Sequence, residues 1–265
     1  MSPVALFCWN YKSPPLSPSY CRMWAASMLY AKRSEMRTVL IADRLGIDVL
    51  VEGLKLPYDE ILHMPPIPDE LAHVYDIAKI TALLMLAEQG RPAIMVDHDA
   101  FLRRPIPDRV RLAPYMGEFF YDPSEPIKGM HAKLPVPRFI GELPRGIASG
   151  VMGGSDCERI TKTCRDSLAV ALHPQNREIL SKADGYLAST ILGELSFGEA
   201  FPDGEMLIPG GPNDQLGYYR SGYMHACGLK KNAGSRMEML EFFRHDFPEE
   251  FEAVLDRWDE YFAGH

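Results

Sequence analysis

The run Ala93-Ile-Met-Val96 is wholly apolar and passes without transition into Asp97-His98-Asp99. A short unbroken apolar segment ending in charge marks a strand buried on both faces, as in parallel sheets. Such a strand commits the chain to an α/β architecture with helices on both sides. Its carboxyl end then opens onto the crevice where α/β sheets bind ligands. Asp97 and Asp99 stand two residues apart just beyond that end. In an extended chain, positions i and i+2 point the same way. The two carboxylates are therefore expected to converge on one hard cation, Mg2+ or Mn2+. The same triplet also suits a solvated turn. Its context argues for the site: an apolar strand precedes it, and Phe101-Leu102 and then Pro105 close it.

Hydrophobic patterning around this strand predicts more of the same architecture. Val4–Trp9 and Thr38–Ala42 read as strands, with a helix from Ser19 to Arg33 between them carrying Met23, Trp24, Met28 and Leu29 at helical spacing. Pro68-Asp69-Glu70 opens an expected long helix that closes at Gly90, before the Ala93 strand. A β-α-β order of this kind implies parallel pairing with right-handed crossovers. Leu56–Pro68 reads as irregular, Tyr115–Tyr121 as a strand containing Glu118, and Pro123–Pro144 as a long surface loop. Ser155-Asp156 caps a helix running to Leu172, and a further helix begins at Lys182–Asp184. Met206–Ile208 is a short strand before the Pro209–Pro212 turn, and residues 235–262 are two amphipathic helices split by Pro248. The whole chain, 1–265, reads as one α/β domain with those last helices packed on it.

Charge and cysteine usage narrow the partners. The formal net charge is −8 and no Lys/Arg run stands out, which argues against duplex nucleic acid. An acidic chain that takes an anionic nucleotide needs a local cation. Cys8, Cys21, Cys157, Cys164 and Cys227 are scattered without a zinc-type pair, as expected of free thiols in a reducing cytoplasm. No apolar stretch approaches the roughly 20 residues of a membrane span, and the N-terminus lacks a signal-peptide pattern. Phosphate-loop, dinucleotide-fold, nucleophile-elbow and zincin motifs are all missing from the sequence.

Four further features accompany the acidic pair. His225 lies in Met-His-Ala-Cys-Gly-Leu-Lys-Lys, ahead of Lys230 and Lys231. Ser149-Gly150-Val-Met-Gly153-Gly154 is rich in small residues, which let a backbone approach a ligand closely or form a tight turn. Lys79 sits within the helix before the acidic strand. Asp184-Gly-Tyr-Leu begins a helix. Their order along the chain resembles that of metal-dependent GT-A glycosyltransferases, which share the strand–DxD–Phe-Leu pattern. The resemblance implies a mostly parallel, Rossmann-like GT-A sheet flanked by helices. It makes Asp97, Asp99 and His225 the metal ligands for Mn2+ or Mg2+. It places Lys230 or Lys231 on a diphosphate, and Lys79, His98, Ser149, Gly150 and Gly153 near the nucleotide sugar. Trp9 and Asn10 would meet the base, and Asp43 the base or ribose.

Several of these residues also have a purely structural alternative. Trp9 can be core, Lys79 can snorkel, Asp184 can serve the helix end, and His225 can be a packed histidine. The implied activity moves a sugar from a nucleotide-diphosphate donor to an acceptor left open among glycan, lipid-linked sugar, protein and modified nucleic acid. Asp184, then Glu118, are the candidate acid/base carboxylates. A metal-dependent phosphohydrolase or nucleotidyltransferase, or a nucleotide-sugar-binding protein without turnover, would use the same acidic pair.

Overall fold

The computed structural model describes residues 3–10, 17–103, 115–207, 222–225 and 233–263. The strands are β1 (Val4–Trp9), β2 (Thr38–Ala42), β3 (Glu60–His63), β4 (Ala93–Val96), β5 (Ala100–Leu102), β6 (Met116–Glu118), β7 (Phe120–Tyr121), β8 (Gly146–Ile147), β9 (Val151–Gly154), β10 (Glu205–Leu207) and β11 (Tyr223–His225). Seven of them form one sheet in the order β10-β6-β9-β4-β1-β2-β3. Within it β1 pairs in parallel with β2 and β4, β2 with β3, and β6 with β10. β9 runs antiparallel between β4 and β6. Two short antiparallel ladders, β5–β11 and β7–β8, complete the pairing among the described residues.

Strand alternation divides the core into two layers, one on each face of the sheet. Ala5, Phe7, Leu40, Ile94 and Val96 pack with Met23, Trp24 and Met28 of the Pro18–Arg33 helix and with Leu240 and Phe243 near the C-terminus. Leu6, Val39, Ile41, Ala93 and Met95 pack with Ile77, Ile80 and Leu83 of the Tyr75–Ala87 helix and with Ile160 of the Cys157–Leu172 helix. Each large apolar side chain buried this way contributes roughly 1.5–3 kcal/mol, so continuous apolar strands and double coverage are one fact. The helix after β1 lies on one face and the helix before β4 on the other. The order therefore reverses between β1 and β4, and their carboxyl ends flank a topological switch point.

The structure corrects several local expectations. Leu56–Pro68 is not irregular throughout but holds the edge strand β3, whose residues are alternately half-buried and exposed. An edge strand needs no continuous apolar run, and Asp59 sets its entry by accepting from the Thr38 N–H at 2.7 Å and hydroxyl at 2.8 Å. The expected Pro68–Gly90 helix is a 3-10 turn at Asp69–Leu71 and then the Tyr75–Ala87 helix. Val74 adopts an extended conformation at the break (ψ 92), and the Asp76 N–H donates to Ser189 Oγ at 3.1 Å. The Pro123–Pro144 loop contains a helix at Glu125–His131, where Pro126 falls in the first turn and is tolerated. Tyr115–Tyr121 divides between β6 and β7, and a Pro174–Leu180 helix precedes Asp184. The terminal helices are Ala233–Asp246 and Pro248–Ala263. Cys8, Cys21, Cys157 and Cys164 are free thiols. Among the described residues no helix is long and apolar enough to cross a membrane. Ile208, the Pro209–Pro212 turn, Cys227, Lys230 and Lys231 lie outside the described residues.

Candidate metal centre

Asp97 follows β4 directly, and its N–H donates to the Gly150 carbonyl at 2.9 Å. The chain then turns instead of continuing extended: the Ala100 N–H donates to the Asp97 carbonyl at 3.0 Å. The Ser27 hydroxyl sits between the Asp97 and Ala100 carbonyls at 2.8 and 2.7 Å, fixing that turn from the Pro18–Arg33 helix. The extended-chain argument for convergence is thus corrected. The carboxylates meet because a turn folds them together, leaving Asp99 fully buried and Asp97 partly open.

His225 reaches the pair through strand register. β11 lies antiparallel to β5 with His225 directly opposite Ala100, which brings the imidazole Nε2 to 3.6 Å from Asp99 Oδ1. One ligand atom each from Asp97, Asp99 and His225 lies within 4.8 Å of the others. The far side of the ring meets Glu118 of β6, whose carboxylate oxygens stand 2.8 and 2.9 Å from Nδ1. A buried carboxylate there draws the ring proton to Nδ1 and turns the Nε2 lone pair toward the aspartates, the usual orientation of a metal-bound histidine. Gly150 makes the approach possible. A Cβ at that position would stand 2.2 Å from His225 Cε1 and 2.8 Å from Glu118 Oε2.

Lys79 is buried beside the pair. Its ammonium donates to Asp97 at 2.9 Å and to the carbonyl and hydroxyl of Ser149 at 3.0 and 3.1 Å, with Asp76 at 3.7 Å. Burial alone would lower its pKa, but Asp97 and Asp76 outweigh burial and hold the ammonium protonated. Burial raises the Asp76 carboxyl above its ordinary range against the pull of Lys79, and Glu194 and Asp97 add to the rise. Asp97, Asp99, Glu118 and Lys79 together carry a formal charge of −2. Two carboxylates, an oriented imidazole and a net negative, largely buried setting fit a divalent cation such as Mn2+ or Mg2+.

The other expected site residues fall into two groups. Asn10, Lys79, Asp97 and His98 line a cleft with Trp24 and Tyr75 at the switch point, and Ser149 and Gly150 lie against Lys79 and His225. His98 is held there by stacking on Trp24, with ring centroids 5.2 Å apart and planes 14° apart. The second group is occupied with structure. Trp9 is only 1% exposed, and its ring packs on Trp24, so it is a core residue and presents no face to a base. Asp43 caps the short Arg44–Ile47 helix by accepting from the Gly46 N–H at 2.7 Å. Gly153, at φ +146, lies inside the sheet, where a Cβ would stand 2.2 Å from the Ala93 carbonyl oxygen. Asp184 caps the Gly185–Ser189 helix, accepting from Tyr186 and Leu187 N–H groups. Its helix abuts the cleft wall, since Gly185 packs on the carbonyl of His73, next to the lining residue Ala72.

Reasoning from sequence missed Ser27, Asp76 and Glu194. Asp76 carried a usable signal, an acid three residues before Lys79 on a predicted helix face. Ser27 and Glu194 sit in apolar helical runs with nothing local to mark them.

A model of the family of unknown function DUF6734 matches residues 15–198. The match takes in Asp97, Asp99 and Glu118 and ends before His225. No curated protein matches the chain.

Proposed function

The chain belongs to the family of unknown function DUF6734; from its site alone we propose that it is a metal-dependent glycosyltransferase using a nucleotide-diphosphate sugar. The observation that carries the reading is the convergence of Asp97, Asp99 and His225 within 4.8 Å, at the carboxyl end of β4 beside the switch point. Seen from the sequence, the GT-A resemblance points to the same three residues.

Asp97, Asp99 and His225 would hold Mn2+ or Mg2+. A divalent cation at such a site neutralises charge developing on a diphosphate leaving group. Glu118 keeps the His225 proton on Nδ1, so we assign it to orienting the imidazole. Lys79 holds Asp97 in place and offsets part of the local negative charge. Asn10 and His98 face the cleft on the nucleotide side, and Lys230 or Lys231 is proposed to meet the diphosphate. In the transfer, the bond from the anomeric carbon to the diphosphate oxygen breaks with its electron pair leaving on that oxygen. The acceptor hydroxyl oxygen bonds to the anomeric carbon, and its proton passes to a carboxylate. Asp184, which caps the helix packed on His73 beside the lining residue Ala72, is the proposed base.

A thermal-shift screen of nucleotide sugars with and without Mn2+ tests this reading. A ligand at 100 times its dissociation constant stabilises the fold by about 2.7 kcal/mol, so a Mn2+-dependent rise in melting temperature is expected with at least one donor. No Mn2+-dependent shift with any donor would overturn the reading. Release of orthophosphate or pyrophosphate without sugar transfer would replace it with a phosphohydrolase or nucleotidyltransferase.

A further inference from the structure

Behind Asp97 lies a second buried network that joins the two halves of the site. Glu194 ends a π-helical turn, Thr190–Glu194. Its carboxylate accepts from the Tyr121 hydroxyl, from Thr190 Oγ1 at 2.9 Å and from the Ser149 N–H at 3.1 Å. Ser149 in turn accepts from Lys79 through both its carbonyl and its hydroxyl, and Lys79 holds Asp97. The next residue, Gly150, accepts from the Asp97 N–H and lies against the His225 ring. The Ala148–Gly150 turn is therefore the common wall of the aspartate side and the histidine side. Glu194 grips that wall at Ser149. The rear of the network is closed at Gly193, where a Cβ would stand 2.0 Å from Asp76 Oδ2.

We propose that Glu194 is a positioning residue of the metal centre, acting through the Ser149 N–H to set the Ala148–Gly150 turn against which Asp97, Lys79 and His225 are placed. The proposal rests on the metal reading above. A carboxylate suits the task because all three of its partners donate. A glutamine could keep Oε1 on the Ser149 N–H and donate its NH2 to the Tyr121 and Thr190 hydroxyls, which also accept, so only shortening or removing the side chain withdraws the acceptor from Ser149.

The test uses the 265-residue chain and its Glu194→Ala and Tyr121→Phe variants. Electron paramagnetic resonance follows Mn2+ binding and the spectrum of the bound ion, and melting temperature is measured alongside. Residues that orient metal ligands typically contribute 10- to 100-fold in metal affinity. Glu194→Ala, which removes the acceptor from Ser149, is expected to weaken Mn2+ by about tenfold and to change the bound-ion spectrum. Tyr121→Phe removes a donor from the other oxygen and leaves the Ser149 contact. It is expected to lower the melting temperature with the affinity and spectrum essentially kept. If Glu194→Ala does not fold, Glu194→Asp keeps the charge, withdraws it from Ser149 and is read the same way. Unchanged Mn2+ affinity and spectrum in the folded Glu194 variant overturn the proposal. Equal weakening by both variants in step with their melting temperatures also overturns it, assigning Glu194 to general stability. A wild-type chain that binds no Mn2+ overturns the metal reading itself, a result distinct from either.

Discussion

Two buried carboxylate centres in this protein are built to opposite stoichiometries. At the C-terminal end of the Ala233–Asp246 helix, Asp246 accepts from the Tyr30 hydroxyl at 2.9 Å and from Arg103 at 2.9 and 3.1 Å, with Arg33 at 3.4 Å. One carboxylate there faces two guanidinium groups and ties the terminal helices to the Pro18–Arg33 helix. At the crevice, among the described residues, the carboxylates of Asp97, Asp99 and Glu118, with Asp76 beside Lys79, gather around one ammonium and one imidazole. Removing a charge from water costs several kcal/mol unless it is matched. The Asp246 centre is matched by cations of its own chain. Among the described residues the crevice carries a surplus of negative charge, which a divalent cation would offset. Partner count among the described residues, more than residue type, separates the structural centre from the candidate functional one.

The sharpest way to break this contrast is to remove the surplus. Asp97→Asn and Asp99→Asn are each expected to abolish Mn2+-dependent nucleotide-diphosphate binding while the chain still melts cooperatively. Calorimetric titration checks this, and wild-type Mn2+-dependent affinity in both variants would sink the metal reading. Asp184→Asn is expected to cut sugar transfer by about 10²-fold, the scale for losing a positioned acid/base group. Asparagine caps helices as well as aspartate does, so the melting temperature should hold. Full transfer in a rate assay would leave Asp184 as a helix cap alone.

Loss of the imidazole sits below these in size. His225→Ala is expected to weaken Mn2+ by about 10²-fold, the upper end of what loss of even an outer-shell partner costs; unchanged affinity in the folded variant would make His225 a packing residue. The smallest effect belongs to the matched centre. Asp246→Asn should leave Mn2+ affinity untouched and lower stability by about 1–2 kcal/mol, because Arg33 is half exposed and adds little. Burial opposes ionisation of Asp246, but hydrogen bonds from His245, Tyr30 and Arg103 prevail and depress its pKa. A depressed carboxylate contributes stability above its unfolded pKa, near about 3.9, and loses it as pH falls through the folded value. The stability gap between wild type and variant should therefore be flat near neutrality and close below about pH 4. Chemical denaturation across that range measures it, and a gap that persists in acid would show that packing, not charge, is at stake.

Much of the fold was legible because its signals are local. The apolar runs Val4–Trp9, Thr38–Ala42 and Ala93–Val96 could be buried only as double-sided strands, and the structure places them as β1, β2 and β4. Capping and periodicity likewise announced the Cys157–Leu172 helix, which Asp156 caps by accepting from the Arg159 N–H. Strand β3 was illegible because an edge strand is specified by its partner β2 more than by its own pattern. The Pro126 helix was hidden because proline density reads as loop wherever its position within a turn is unknown.

The sequence by itself determined that a two-sided strand ends in a pair of carboxylates, since burial and charge are properties of neighbouring residues. Tertiary structure alone decided what those carboxylates meet. Glu118 and His225 are 107 positions apart, and no local period links them. They touch because β5–β11 register sets His225 opposite Ala100, and because Gly150 leaves space where a Cβ would strike the ring. The contacts of Trp9, Asp43 and Gly153 likewise come from the fold: an indole packed on Trp24, a cap on Gly46 and a backbone crowded by Ala93. Chain pattern governs which segments are buried; the register between distant strands governs which buried groups share a site.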